Sequence, residues 1–374
     1  MNERLHVPHG DEMRRKYVFV GGSPRSGTSL LGRNIARMED CTGLKNTGVF
    51  NDEGQFLQDV YPTASAYGGS SRCGFDPRIH RTERSDLLTP DNIRMLHAAW
   101  HAYWDNSKSI FVEKTPENFL MTRFLQAAFP NSYFVVIKRH PVPVSICGQK
   151  WTVNITSLNR MFEHYLHCYR LFEDDRKYLK HVYELRYEDY IEDPDKYHQE
   201  IAEFIGTRVA KPPKEDTFRI VPQQWNPLGL RVPEHGLEIP RAAYNKKYFT
   251  QWSNFLTRSP FKRYYRYIAG KYEPEFAGYG YSLVKGFVEN GEALGPDSKV
   301  SALLGPVYCL GADLGALLRR TATRTRWRVR RGIKRILPEF VLNRIRQTRH
   351  NALLRHQRAW APALRRQHYQ ESPE

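Results

Sequence analysis

The chain has 374 residues and a net charge of +17, and 40% of its residues are hydrophobic and 13% aromatic. This content supports a sizeable core and excludes a chain that is disordered throughout, while the length allows one large α/β domain or two smaller ones. The sequence has no run of about 20 apolar residues, which argues against a transmembrane helix. Its five cysteines form no CxxC pair, which argues against a disulfide framework and a structural zinc site.

Predicted strands and helices alternate along most of the chain. In chain order they are strand 16–22, helices 27–38 and 90–104, strand 109–112, helix 118–129, strand 133–138, helices 142–151 and 158–180, strand 182–186, and helices 194–205, 246–257 and 260–270. Residues 40–90 are rich in Gly, Ser, Asp and Pro and are predicted as loop with short helices. This alternation indicates a doubly wound α/β sheet. The uniformly apolar strand 133–138 indicates parallel strands with helices on both faces.

Charge and composition divide the chain into four predicted segments. Residues 1–15 form a loose polar leader without the apolar core of a signal peptide, so we expect a cytoplasmic protein. Residues 16–285 form the main domain and residues 286–299 a linker. The remainder, 300–374, is a basic tail: from Lys299 onward the chain holds 17 Lys and Arg against 4 Asp and Glu, whereas the preceding part holds 40 against 36.

The first chemical motif is GSPRSGTS, residues 22–29, which follows a predicted strand and opens a predicted helix. A loop of this kind presents backbone N–H groups at a helix N-terminus and suits a phosphate group. The ATP-binding pattern GxxxxGK[ST] would place a lysine where Thr28 stands, and Arg25 is the loop's cation. The missing lysine argues against ordinary ATP or GTP hydrolysis.

At this loop the sequence resembles the sulfotransferases that use 3′-phosphoadenosine 5′-phosphosulfate (PAPS), which have a P-loop-like α/β fold. The resemblance implies that the donor's 5′-phosphate is bound by five residues: Arg25, Ser26, Gly27, Thr28 and Ser29. It also implies that Arg25 faces the bridging oxygen.

A second basic turn ends the strand FVVIKRHP at Arg139. Ligands bind at the ends of strands in doubly wound folds. In the family, an arginine here and a serine eight residues later bind the donor's 3′-phosphate. Arg139 matches this arginine, but Cys147 stands at the serine position and Ser145 lies two residues earlier, where it would point differently on a helix.

Two further segments extend the resemblance to about residues 16–206. Lys114 in EKTPEN follows the second predicted strand and matches the family's lysine, whose implied role is to stabilise charge on the leaving phosphate and the moving sulfuryl group. The alternative is a surface lysine beside Glu113. The segment ELRYEDY resembles a mainly structural family motif, in which Arg186 or Tyr187 contacts the nucleotide side.

Sulfuryl transfer to a hydroxyl needs a general base, because an alcohol is a poor nucleophile until its proton leaves. Pro116 stands where the cytosolic branch of the family would have its histidine. The resemblance is therefore nearer the tyrosylprotein and bacterial-type branch, which uses a glutamate, and it implies Glu53 as the base. Asp52 and Glu117 remain alternatives, as does a purely helix-capping role for Glu53.

The histidines show no metal-ligand spacing such as HExxH. His97 and His101 are four residues apart on an aromatic helix and lack an acidic third ligand in register, so we expect no metal. A later segment, 244–252, resembles a basic family segment in composition only. It either closes over the 3′-phosphate or is a solvated helix face.

The basic tail combines an apolar helical face with a run of arginines. Residues 303–318 place Leu and Val at alternating spacings of four and three, and arginines follow from 319 onward. This pattern is typical of helices that bind anionic membrane surfaces or polyanions; the alternative is a packed or solvated appendage. We expect no nucleic-acid partner, because no base-stacking platform or reading motif accompanies the charge.

These observations predict a PAPS-dependent sulfotransferase that sulfates a hydroxyl on a carbohydrate, glycolipid or small molecule by in-line transfer with a carboxylate base. Residues 16–285 would be its catalytic domain, with the basic helical tail as an extension. Two alternatives stay open: a P-loop kinase, and a non-catalytic membrane- or polyanion-binding protein on a transferase-like fold. The sequence identifies neither the acceptor nor the oligomeric state.

Overall fold

The computed structural model describes residues 15–149, 155–210, 218–220, 231–233, 247–287 and 299–336. The predicted leader, most of the predicted linker and the tail beyond residue 336 lie outside this part of the chain. The chain divides into two compact units, one comprising 1–218 with 233–317 and the other comprising 219–232 with 318–374.

A five-stranded, all-parallel sheet organises the first unit. Its strands are β1 (Lys16–Gly21), β2 (Cys41–Gly43), β3 (Ile110–Lys114), β4 (Ser132–Lys138) and β5 (Val182–Arg186), in the spatial order β2-β3-β1-β4-β5. This confirms the predicted parallel α/β sheet. The sequence pattern did not predict β2, because a strand of three residues is too short to show a hydrophobic period.

Ten helices are described. They are α1 (Thr28–Ile35), α2 (Pro90–His101), α3 (Thr122–Ala128), α4 (Pro141–Gly148), α5 (Leu158–Arg176), α6 (Tyr187–Glu192), α7 (Pro194–Ile205), α8 (Lys247–Thr257), α9 (Lys262–Gly278) and α10 (Lys299–Ile336). Two short strands, β6 (Phe218–Ile220) and β7 (Arg231–Pro233), form a separate pair. The predicted helix 118–129 is instead a short 3₁₀ turn followed by α3.

The central strand β1 shows that both faces of the sheet are covered. Val18 and Val20 pack into a core cluster that includes apolar residues of α1 and α7. Tyr17 and Phe19 pack on the opposite face with residues of α2 and α3. All four side chains are buried, as the alternation of side chains along a strand requires when each face carries helices.

A third core cluster joins α4, α5, α8 and α9. Trp252 of α8 is fully buried there, and its indole N–H donates to the carbonyl of Leu283 at 2.8 Å. Trp252 therefore packs in the core and does not close over a ligand. No helix in the described ranges is long and apolar enough to cross a membrane.

The carboxyl ends of the central strands meet at one edge of the sheet. Val20 of β1 is in register with Lys114 of β3 and Val135 of β4, and Lys138 is in register with Arg186 of β5. The chain leaves β1 through Gly21, where an added Cβ would lie 2.8 Å from the backbone nitrogen of Phe119. This edge is where ligands bind in doubly wound folds.

We predict that Gly21→Ala lowers the free energy of unfolding by about 1–3 kcal/mol, because the new methyl group would meet backbone that cannot move aside easily. Urea denaturation of the full chain measures this change. Gly278→Ala near the end of α9 is the matched control: an added Cβ there meets no atom within 4 Å, and we expect a neutral or slightly stabilising effect. Equal stability of the two variants would contradict the prediction.

Candidate active site

The loop between β1 and α1 has the backbone of an anion-binding nest. Gly22, Arg25 and Gly27 all have positive φ angles, at 142°, 75° and 99°. Gly27 caps α1, whose first turn carries no acidic residue. Left-handed residues before a helix turn backbone N–H groups towards a common point, and the helix dipole favours an anion there. The geometry therefore agrees with the phosphate-binding role that the sequence implies.

The loop's side chains differ in exposure. Arg25 is exposed and Ser29 is half-buried, whereas Ser26 and Thr28 are buried. A non-glycine residue with positive φ such as Arg25 is uncommon and is held by its surroundings. Arg25 is thus the exposed cation of the loop, while Ser26 and Thr28 would contribute mainly through their backbone.

Strand β4 and helix α5 hold the loop from behind. An added Cβ on Gly22 would lie 2.2 Å from the carbonyl oxygen of Ile137. The hydroxyl of Tyr169 donates to that same carbonyl at 3.1 Å and accepts from the backbone N–H of Ser23 at 3.1 Å. Tyr169 is fully buried, so this link between the loop and the sheet is shielded from water. No sequence motif indicated the role of Tyr169.

Arg139 lies directly beside the loop. Its Nη1 donates to the backbone carbonyl of Arg25 at 2.8 Å, and its guanidinium stacks 4.1 Å from the ring centre of Tyr187. Tyr187 in turn packs so closely on Gly27 that an added Cβ there would lie 2.6 Å from its ring. The structure therefore brings together Arg25, Arg139 and Tyr187, although Arg139 lies 114 residues after Arg25 in sequence.

Ser145 and Cys147, the two candidates after Arg139, occupy different environments. Ser145 is 1% exposed and its hydroxyl oxygen has no accessible surface, which argues against a phosphate ligand at that position. Cys147 is half-buried and hydrogen-bonds with Tyr248. Burial and this hydrogen bond raise the pKa of Tyr248 to about 12, against the opposing charges of Arg139 and Arg25. Cys147, not Ser145, therefore lies on the side of the arginines.

Lys114, at the end of β3, is paired with Glu53. The two side chains are only 10% and 6% exposed, and Nζ lies 3.0 Å from Oε1. Nζ also donates to the backbone carbonyl of Asn51 at 3.4 Å. Gly32 of α1 makes room for this side chain, since a Cβ at Gly32 would lie 2.8 Å from the Cβ of Lys114. Lys114 is thus a buried, paired cation and not a surface lysine.

Three buried carboxyl groups, one of them Glu53 of this pair, lie close together here, and their roles differ. Glu113 accepts hydrogen bonds from the N–H of Gly54 at 2.8 Å and the hydroxyl of Thr115 at 2.6 Å. Burial nevertheless raises its pKa. The side-chain amide of Gln55 bridges the other two, donating to Glu53 at 2.8 Å and to Glu117 at 3.4 Å. Burial, and then the charge of Glu53, raise the pKa of Glu117 to about 7.

Asp52, the third candidate base, is used by the local turn. Its Oδ1 accepts from the backbone N–H of Thr47 at 2.9 Å and from the Thr47 hydroxyl at 2.6 Å. Asn51 and Asp52 both have positive φ, at 55° and 49°. This turn directs the next side chain, Glu53, towards Lys114.

A cavity of about 660 Å³ lies beyond the turn after β4. Its lining includes His140, Arg186, Glu188, Phe249 and Tyr281. None of the residues of the phosphate loop and neither member of the Lys114–Glu53 pair belongs to this lining. Burial lowers the pKa of His140 to about 4, so this imidazole is neutral at physiological pH.

The histidines of α2 pack against aromatic rings. His97 stacks on Phe129 with ring centres 4.1 Å apart, and its Nε2 lies 2.9 Å from the carbonyl of Ala128. The ring of His101 meets Trp104 edge-on. Within the described part of the chain, no three His, Cys, Asp or Glu side chains form a group that could hold a metal ion.

Comparison with known proteins finds a matching family and several similar solved structures. Residues 18–211, just over half of the chain, match the model of the family described as the sulfotransferase family. Among curated proteins, none matches the sequence significantly.

Three solved structures are similar at low identity. The sulfotransferase STF1 from Mycobacterium tuberculosis H37Rv is 15% identical over 53% of this chain and 69% of its own, with a TM-score of 0.36. The sulfotransferase domain of the Synechococcus PCC 7002 olefin synthase is 16% identical over 57% and 80%, with a TM-score of 0.35. The sulfotransferase domain of the curacin biosynthetic pathway is 13% identical over 69% and 97%, with a TM-score of 0.37.

The raised pKa of Glu117 predicts a pH-dependent stability. Between its ordinary pKa of 4.5 and about 7, the folded chain holds a proton on Glu117 that the unfolded chain has released, so this group destabilises the fold as the pH rises. Glu117→Gln removes the effect. From about pH 4 to about pH 8, the variant should therefore gain about 3 kcal/mol of unfolding free energy relative to the wild type, measured by urea denaturation.

Glu203→Gln is the control, because it also removes a carboxylate, but at an exposed position of α7. If the difference between Glu117→Gln and the wild type stays constant over this pH range, the environment inferred for Glu117 is wrong.

Proposed function

The chain belongs to the sulfotransferase family, and we propose that it transfers a sulfuryl group from PAPS to the hydroxyl group of an acceptor. The observation that carries the proposal is the buried Lys114–Glu53 pair, with Nζ and Oε1 3.0 Å apart, at the sheet edge from which the phosphate loop also leaves. In a group transfer, a cation can stabilise the charge on the leaving group, and a carboxylate can accept the proton of the nucleophile.

The residues of the loop fit the proposed donor. Gly22, Arg25 and Gly27 give the loop the conformation of an anion nest, and an added Cβ would clash at either glycine. The guanidinium of Arg139 donates to the backbone carbonyl of Arg25 beside this nest, so two arginines are available to a ligand with two phosphate groups. PAPS would supply the activated sulfuryl group. Family membership and Thr28 at the lysine position both favour this donor over ATP and a kinase activity.

In the proposed mechanism, Glu53 accepts the proton of the acceptor hydroxyl at Oε1 or Oε2. Lys114 neutralises the negative charge that develops during the transfer. To do so, its ammonium group must loosen its contact with Glu53, which frees that carboxylate. Gln55 fixes the orientation of Glu53 through the hydrogen bond to Oε2. Glu117 is a less suitable base, because Lys114 pairs with Glu53, and because burial raises the pKa of Glu117 to about 7 and leaves it about half protonated at neutral pH. Asp52 is held by Thr47.

Two exposed aromatic residues lie three positions before and after the proposed base in sequence, and they favour an acceptor with an apolar face. Phe50 and Phe56 are 44% and 37% exposed and meet edge-on with ring centres 6.3 Å apart. Exposed aromatic rings beside a polar group suit sugars and aromatic small molecules. We therefore retain a carbohydrate, a glycolipid or a small hydroxylated molecule as the acceptor class.

We place the protein in the cytoplasm, where thiols stay reduced. This is supported by its five free cysteines, of which four are buried. A second candidate function is a non-catalytic binding protein on this fold, which would explain Cys147 at the family's serine position. Binding of nucleotide distinguishes the two.

We predict that 3′-phosphoadenosine 5′-phosphate, the product nucleotide, raises the melting temperature of the full chain. A ligand that binds only the folded state at about 100 times its Kd stabilises it by about 2.7 kcal/mol. Arg139→Ala should lose most of this stabilisation, because it removes the cation beside the loop. Differential scanning fluorimetry measures both.

Arg160→Ala is the control, since this exposed arginine of α5 pairs with Glu163 on the helix surface. It should keep the shift of the wild type. Stabilisation by ATP with magnesium but not by the product nucleotide would support the kinase. No shift with either ligand would support the non-catalytic protein.

We predict that Glu53→Gln lowers the turnover rate by about 10²- to 10⁴-fold, the usual contribution of a general base. Transfer of radiolabelled sulfate from PAPS to a panel of soluble glycosides and phenols measures the rate. The variant should still be stabilised by the product nucleotide, which shows that it folds. Asp52→Asn keeps an oxygen acceptor for Thr47 and should remain active. Full activity of Glu53→Gln would exclude Glu53 as the base.

A further inference from the structure

Residues 299–317 of helix α10 belong to the first unit and pack one face of the helix into it. Cys309 and Ala316 are 9% and 1% exposed, and the thiol of Cys309 donates to the side-chain oxygen of Asn159 at 3.4 Å. Gly305 lies so close to Tyr267 that any added Cβ would overlap its ring. These positions are four and seven residues apart, so they lie on a single helical face that docks on the domain.

The opposite face carries a stripe of exposed aliphatic side chains, which we call the leucine stripe. Its members are Leu303, Val307, Leu310 and Leu314, which are 77%, 60%, 60% and 51% exposed, respectively. Their spacing of four, three and four residues places them along one line of the helix. Apolar patches of this kind are uncommon on monomeric soluble proteins and mark sites of interaction with a protein or a membrane.

Charge indicates which partner the stripe fits. Residues 319–336, which follow the stripe in sequence, contain nine Lys and Arg and no acidic residue. The single acidic residue of α10 is Asp313, and it accepts a hydrogen bond from the hydroxyl of Ser157. The helix therefore combines exposed aliphatic side chains with a following segment, 319–336, whose charge is entirely positive.

We propose that α10 is a peripheral membrane-binding helix, with the leucine stripe inserted among the lipids of an anionic bilayer and the arginines bound to its head groups. Helices with an apolar face and a strongly basic polar part bind at the lipid interface without crossing it, and basic residues near an anionic surface strengthen that binding. A second copy of the chain fits less well, because it would bring two basic segments together. The stripe also lacks the aromatic residues that dominate protein–protein hot spots.

The proposal goes beyond the sulfotransferase activity, and its test needs neither donor nor acceptor. Full-length protein is mixed with vesicles of phosphatidylcholine containing about 30% phosphatidylserine, and the bound fraction is measured by flotation. We expect binding to be at least about tenfold weaker to vesicles of phosphatidylcholine alone, and to fall as salt is raised above about 0.1 M.

The double variant Leu310→Gln/Leu314→Gln should bind at least about tenfold more weakly while keeping the melting temperature of the wild type, because its side chains are exposed in the folded chain. Met95→Gln is the matched control: Met95 is 52% exposed on α2 and its loss should leave binding unchanged. Equal binding of the double variant and the wild type would overturn the proposal. A dimer in lipid-free sedimentation that the double variant abolishes would assign the stripe to a second copy instead.

Discussion

A buried lysine that must be paired governs the arrangement of the site. Burying an ammonium group without a partner is strongly unfavourable, so Lys114 at the end of β3 requires a carboxylate, which Glu53 supplies. The chain around Glu53 is built to deliver it: Gly54 is held between the side chains of Glu113 and Trp100 by hydrogen bonds of 2.8 and 3.0 Å. Together with these hydrogen bonds, the ion pair fixes the short 3₁₀ turns on either side of Glu53 to the edge of the sheet.

The phosphate loop depends on a second constraint, the close packing of backbone and aromatic rings. Gly22 touches the carbonyl of Ile137, and Gly27 touches the ring of Tyr187. Tyr187 also supports Arg139, whose Nη1 reaches the loop. Because interiors are close-packed and resist deformation, the same contacts that position the loop also position its cation. The proposed anion site and the guanidinium of Arg139 are therefore held in place by the same contacts.

The pattern of the sequence predicted the parallel sheet, the glycine-rich turn between β1 and α1 and the arginine at the end of β4, since each rests on local signals: apolar runs, glycines before a helix and a basic residue after a strand. The resemblance implied Glu53 as the base but left Asp52 and Glu117 open as alternatives. Glu53, Asp52 and Glu117 look alike in sequence, and only their partners separate them: Lys114, Thr47, and a buried site bridged by Gln55. The sequence also left the role of Ser145 open, and α4 places its hydroxyl in the core.

The sequence by itself determined the class of fold, the motifs of the sulfotransferase family and the separation of a near-neutral domain from a basic tail. These features depend on hydrophobic period, turn residues and charge, which are local properties of the chain. The tertiary structure decided which carboxylate pairs with Lys114, that Tyr169 and Tyr187 support the loop, and which face of α10 stays exposed. Those outcomes depend on burial and on contacts between residues far apart in sequence, which no local pattern encodes.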